Sequence, residues 1–282
     1  MHQKLQILKE QIHALIDIIF TLNMESQLPE LIAKHIALQN IVNSFQLSEE
    51  EISQYFLDKE VEEYIEKYQR YCLNFEIYLE NLMTTALIHP QRSSEIIRLL
   101  RSYYSSIYEI MSKNEITLAN INKNSKVCMV GVGSMPLSML FIHRFSGANI
   151  VGIDKSKETI VSTRQCIAFI SEYSPERYHS NAFSIIGADG EEFNYTGFDV
   201  IVLSIHIENK DAVIKRILDT TADKNRLILL DRKVAGLCQY FYKNNPINIK
   251  NASLLMADSL ISGLITTQAL AYKSIVQLVK VF

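Results

Sequence analysis

Proline and glycine are scarce in this 282-residue chain, at 5 and 9. That scarcity argues against disorder, a collagen-like repeat or a loop-rich all-β fold. The four cysteines, Cys72, Cys128, Cys166 and Cys238, lie far apart and form no CxxC pair. Neither a structural zinc nor a disulfide framework is therefore expected, and reduced thiols in the core are the plain reading. No apolar run nears the roughly 20 residues that span a bilayer. The start, Met1-His2-Gln3-Lys4, leads into an amphipathic stretch containing Glu10 and Asp17 rather than a continuous apolar segment. Without a targeting pattern there, a cytoplasmic location is the expectation. A net charge of −3 and a pI near 6.2 give no reason to expect a nucleic-acid partner. No internal repeat or low-complexity tract stands out.

What is present is an ordinary globular composition, 48% hydrophobic and 21% charged. It suffices for one large domain or two modest ones. The chain changes character near residue 121. Residues 1–120 contain none of the glycines, and of the prolines only Pro29 and Pro90. Leu5, Leu8, Ile12, Leu15, Ile16 and Ile19 form one helical stripe. A second helix is expected over residues 30–45. Ser48 and Glu51 fit a capping box that opens a helical stretch running to about Leu87, where Pro90 stops it. A last helix is expected over about 94–111. This half carries 10 basic and 17 acidic residues, against 18 and 14 in the rest. The acidity around Glu49–Glu66 reads as a solvated helix face.

After Ile121 the period shortens. Apolar runs at 127–130, 149–153, 183–186, 200–203 and 227–230 end respectively in Gly131, Asp154, Gly187-Ala188-Asp189, Ser204 and Asp231-Arg232. Helical segments are expected between them at about 137–145, 157–171 and 211–220. Short buried strands alternating with helices predict parallel βαβ units in an open, doubly wound α/β sheet. The tail, 263–272 and then 274–281, is expected to add one or two edge strands. The resulting division is a helical domain over 1–120 and an α/β domain over 121–282.

In such sheets ligands bind at the carboxyl ends of the strands, near the switch in strand order. The first run ends in Gly131-Val132-Gly133-Ser134, which permits a tight turn and close backbone approach. The third glycine of the dinucleotide fingerprint is absent, since Pro136 stands in its place. This argues against a pyrophosphate-bearing dinucleotide. Asp154 ends the second strand, where a carboxylate can accept from both hydroxyls of a ribose. Its competing role is the N-cap of the next helix. Asp189 ends the third strand, where an acid can accept from an adenine amino group. An adenosine without pyrophosphate fits these residues, and S-adenosylmethionine is one.

The segment Val130-Gly131-Val132-Gly133-Ser134-Met135-Pro136-Leu137-Ser138 resembles the "GSGPLPLTS"-type signature of nicotianamine synthases. The bacterial aminobutyrate transferases that make opine-type metallophores carry a related form. Ordinary methyltransferases usually have an acid two residues before the first glycine, where this chain has Met129. The similarity continues through Val151-Gly152-Ile153-Asp154, reaches Leu230-Asp231-Arg232 and Gly236, and returns at Ala271-Tyr272-Lys273. Upstream, Tyr103-Tyr104-Ser105-Ser106 resembles the family's aromatic motif, with two serines departing from it. The resemblance spans about 70–275 and is specific at 130–154.

The resemblance implies a Rossmann-like S-adenosylmethionine-binding domain behind an N-terminal all-helical domain. It implies transfer of the 3-amino-3-carboxypropyl group to an amine, release of 5′-methylthioadenosine, and synthesis of a metal-chelating small molecule. S-adenosylmethionine would be a co-substrate, and the product rather than the enzyme would bind the metal. The acceptor would be an amino acid or a second S-adenosylmethionine, and a homodimer is compatible with the sequence.

Gly131, Gly133, Ser134, Asp154, Asp189 and Ser204 would hold the nucleoside and methionine portions. Glu76 is the candidate base or amine anchor, its plain alternative being an exposed helix carboxylate. Tyr103 or Tyr104 would bond the moving group or orient Glu76, or simply pack a helix. Arg232 would pair with a substrate carboxylate, or sit on the surface at a strand end. His206 would touch substrate or be a plain loop histidine. A conventional methyltransferase and a non-catalytic binding module are the other two function classes.

Overall fold

A computed structural model describes residues 2–89, 94–221, 227–245, 247, 254–262 and 265–272. The helices are α1 (His2–Thr21), α2 (Leu28–Ser44), α3 (Glu49–Phe56), α4 (Lys59–Ile88), α5 (Ser94–Ala119), α6 (Leu137–Ser146), α7 (Lys157–Tyr173) and α8 (Lys210–Thr220). The strands are β1 (Lys126–Val130), β2 (Asn149–Asp154), β3 (Phe183–Gly187), β4 (Val200–Leu203), β5 (Leu227–Lys233), β6 (Leu254–Ser262) and β7 (Ile265–Tyr272). The chain forms two compact units, one of Met1–Tyr78, Val234–Asn244 and Gly263–Ile265, the other of Leu79–Lys233, Asn245–Ser262 and Thr266–Phe282. Their division falls inside α4, not at the change from helices to strands.

In the first unit the expected stripe of α1 is buried at Leu5, Leu8, Ile12, Ile16 and Ile19. Pro29 stands in the first turn of α2, where its missing N–H leaves no helical bond unmade. The Ser48–Glu51 capping box opens α3, with both reciprocal bonds formed. The helical stretch breaks between Phe56 and Lys59 before α4 begins.

The core of this unit is partly polar. His35 is fully buried, and its Nδ1 is 2.6 Å from the Tyr68 hydroxyl. A short 3-10 helix, Gly236–Tyr240, brings in Tyr240, whose hydroxyl meets Tyr55 at 2.8 Å and His13 at 3.2 Å. His13 stacks on Tyr64 with centroids 3.7 Å apart.

The second unit is built on a seven-stranded sheet in the order β3-β2-β1-β4-β5-β7-β6. The five strands read from the sequence pair in parallel. Side-chain alternation explains the two-sided core. Cys128, Val130, Ile201, Leu203, Leu227 and Leu229 pack with Val213, Ile214 and Ile217 of α8. Val127, Met129, Val200, Val202, Ile228 and Leu230 pack with Met139 and Ile142 of α6 and with Ala119 of α5. Period-two burial on both faces is what makes these runs continuously apolar. The fold is therefore an α/β, Rossmann-like sheet with helices ahead of it.

Two expectations are corrected. The last N-terminal helix extends to Ala119, because no breaker intervenes until Asn120 turns left-handed at φ 52°. The tail strand β7 is not an edge: it pairs antiparallel with β5, and β6 lies on its far side. Strand β6 was missed because Asp258 and Ser259 interrupt its apolar run. The expected second tail segment, 274–281, lies outside the described residues, as do Pro90 and Lys273.

Burial holds the His35 imidazole neutral, with its pKa pushed down to about 4 from 6.5. Between those values the unfolded chain binds the extra proton, so stability falls as pH drops through that window and is full above it. The expected loss from pH 7 to 4 is about 3 kcal/mol from this residue. Denaturant melts across that range should show the slope, and H35Q should flatten it. An unchanged slope in the variant would contradict this reading of His35.

Candidate active site

Strand order reverses at β1, which has β2 on one side and β4 on the other. The crevice outside the carboxyl ends of β1 and β4 is where such sheets take ligands. Gly131 leaves β1 at φ +78°, and a Cβ there would stand 3.0 Å from the Ser204 Cβ. Gly133 follows at φ +69°, and a Cβ there would lie 2.7 Å from the Glu80 carboxylate. Both positions therefore need glycine for conformation and for close approach. The turn is tied to the strands, since Gly131 N–H donates to Ile153 O and Ser204 N–H to Val130 O.

The loop after Gly133 is gripped from two helices. Glu80 on α4 accepts from Ser134 N–H at 2.9 Å, and Thr84, one turn further on, donates to Ser134 O at 3.2 Å. From α7, the buried Thr163 hydroxyl donates to Gly133 O at 2.6 Å. Neither glutamate nor threonine is expected from sequence at this site. The available signal is the spacing of Glu76, Glu80 and Thr84, which share one face of α4.

Asp154 and Asp189 stand at the ends of β2 and beyond β3. Asp154 Oδ1 accepts from Ser156 N–H, and the N-cap of α7 is Ser156, whose hydroxyl accepts from Thr159 N–H. The capping role thus belongs to Ser156, and Asp154 closes β2 with one carboxylate oxygen on the Ser156 amide. Asp189 is exposed and its Oδ1 accepts from Glu191 N–H. Gly131, Gly133, Ser134, Asp154, Asp189 and Ser204 accordingly share the carboxyl-end rim of the parallel sheet.

Glu76 belongs to the first unit, where its Oε1 accepts from the Tyr242 hydroxyl at 2.6 Å. Tyr104 is buried on α5, its ring 5.8 Å from that of Tyr108. The side chain of Tyr103 lies outside the described residues. His206 is exposed in the loop after β4.

Arg232 is neither a surface arginine nor an open carboxylate receptor. It is 4% exposed, its Nε and Nη2 pair with both oxygens of the fully buried Glu115 at 2.7 and 2.9 Å, and Nη2 also bonds Ser138. Burial alone would lower its pKa, but Glu115 outweighs that and raises it. Next to it, buried Lys210 pairs with Asp231 at 2.8 Å and also bonds Arg232 O. These two ion pairs set the carboxyl end of β5. Among the described residues no group of three or more His, Cys, Asp or Glu is arranged to hold a metal, and no helix is long and apolar enough to cross a membrane.

The fold and rim define a Rossmann-like protein with a glycine-loop crevice. No family model and no curated protein matches the chain. Solved structures do. A glutamate-to-glutamine variant of MtNAS, a nicotianamine synthase, in complex with S-adenosylmethionine matches with a TM-score of 0.75 at 18% identity, covering 94% of this chain and 97% of that one. The same variant alone gives 0.76 at 16% identity, covering 96% and 98%. MtNAS in complex with MTA and tNA gives 0.73 at 17%, covering 96% and 97%. The chain thus has the fold of a nicotianamine synthase over nearly its whole length.

Removing one partner of a buried ion pair strands the other. Arg232→Met should lower the unfolding free energy by about 3–5 kcal/mol, measured by denaturant titration. A loss below about 1 kcal/mol would return Arg232 to the list of free substrate-binding groups.

Proposed function

We propose that this chain transfers the 3-amino-3-carboxypropyl group of S-adenosylmethionine to an amine acceptor and releases 5′-methylthioadenosine, in the synthesis of a small metal chelator. The observation that carries the reading is the Glu80 carboxylate set against the Gly133–Ser134 turn. It is supported by likeness of fold to MtNAS, which was crystallised with S-adenosylmethionine and with MTA and tNA.

The residues present fit the co-substrate. Glycines at 131 and 133 let Ser204 and the Glu80 carboxylate close on the loop at the strand end, and Asp154 would offer a carboxylate to a ribose diol. Asp189 would accept from the adenine amino group, and Ser204 would border the methionine portion. S-adenosylmethionine supplies a sulfonium, so that as the new N–C bond forms the C–S bond breaks and its electron pair stays on sulfur. The chain must then hold an unprotonated amine in line and take its proton.

We assign that proton to Glu80. It is the carboxylate that touches the glycine loop, whereas Glu76 is bonded to Tyr242. Tyr103 and Tyr104 are kept as candidates to orient the moving group, and His206 as a residue at the acceptor's entry. Arg232 acts instead by holding the end of β5. The acceptor is a small amine, an amino acid or a second S-adenosylmethionine, and the metal is bound by the product.

Glu80→Gln should bind S-adenosylmethionine with a Kd within about threefold of wild type by calorimetry. Its transfer rate should fall by about 100-fold or more, the range general-base removal gives. Glu76→Gln should keep most of its turnover. Near-normal transfer by the Glu80 variant would remove that residue from the mechanism.

A further inference from the structure

The grip on the Gly133–Ser134 peptide has a direction. In a trans peptide the C=O and N–H of one unit point to opposite sides. Thr163 on α7 takes the C=O, at Gly133 O, and Glu80 on α4 takes the N–H, at Ser134 N. Whichever way the carbonyl turns therefore decides whether the N–H meets Glu80. With glycine at 133 and φ at +69°, the backbone preceding this unit carries no side-chain restraint of its own.

Thr163 has a competing acceptor. Its hydroxyl stands 2.8 Å from Thr159 O, the usual bond of a threonine within its own helix, but only 2.6 Å from Gly133 O. It is fully buried, so water does not substitute for either contact.

We infer that Thr163 is a positioning residue: by holding the Gly133 carbonyl it aims the Ser134 N–H at Glu80 and so sets the carboxylate that takes the proton. The inference rests on the function proposed above only for its kinetic consequence. The structural consequence, a fixed Ser134 N–H, stands without it.

The test uses Thr163→Val, which keeps the shape and removes the hydroxyl, and Thr163→Ser, which restores it. On the protein alone, amide exchange at Ser134 should speed by about tenfold or more in the valine variant and return in the serine variant. In turnover assays the valine variant should lose about tenfold in kcat, with KM for S-adenosylmethionine within about threefold, and serine should recover most of it. In a Glu80→Gln background the valine change should add less than about twofold, because the path through Glu80 is already cut.

Unchanged Ser134 exchange in a folded valine variant would overturn the inference. So would a loss that multiplies independently with Glu80→Gln, or one that appears in KM alone. Should the wild-type protein form no methylthioadenosine with any acceptor, the proposed function fails while the exchange comparison still decides the role of Thr163.

Discussion

The Gly133–Ser134 peptide is the part of the molecule on which the site depends. It is held at its carbonyl by Thr163 and at its N–H by Glu80, and the next carbonyl is held by Thr84. The side chains come from two helices, Thr163 from α7, which follows β2, and Glu80 and Thr84 one turn apart on α4. A glycine loop at a strand end normally offers its N–H groups to a ligand. Here one of them holds the Glu80 carboxylate, which brings a titratable group to the loop.

A second constraint lies at the end of β5. Two buried ion pairs, Arg232–Glu115 and Lys210–Asp231, join that strand to α5 and α8. Buried charges are tolerated only when paired and hydrogen-bonded, and Thr267 and Ser138 add bonds to the Arg232–Glu115 pair. A sheet whose far side is completed by two strands from the tail has its β5 end defined by these contacts.

The sheet was legible because a strand buried on both faces leaves a continuous apolar run, as in β1, β4 and β5, and all five short runs ended in glycine, serine or acid at one rim. The capping box at Ser48 was legible because its two bonds are local. Glu80 was not, because two glutamates four residues apart on α4 look alike until it is known which one meets a loop more than 50 residues away. Arg232 was misjudged for a similar reason: a strand-end arginine reads the same whether its partner is a substrate or Glu115, which is 117 residues distant in sequence. The place of β7 beside β5 depends on antiparallel pairing that leaves no mark in either strand alone.

In the proposed reaction the carbon attacked is the one on the methionine side chain and not the methyl. The most direct measurement is mass spectrometry of the nucleoside formed from S-adenosylmethionine in the presence of amino-acid acceptors. The expected products are 5′-methylthioadenosine and an acceptor heavier by one aminobutyrate. S-adenosylhomocysteine together with a methylated acceptor would contradict it.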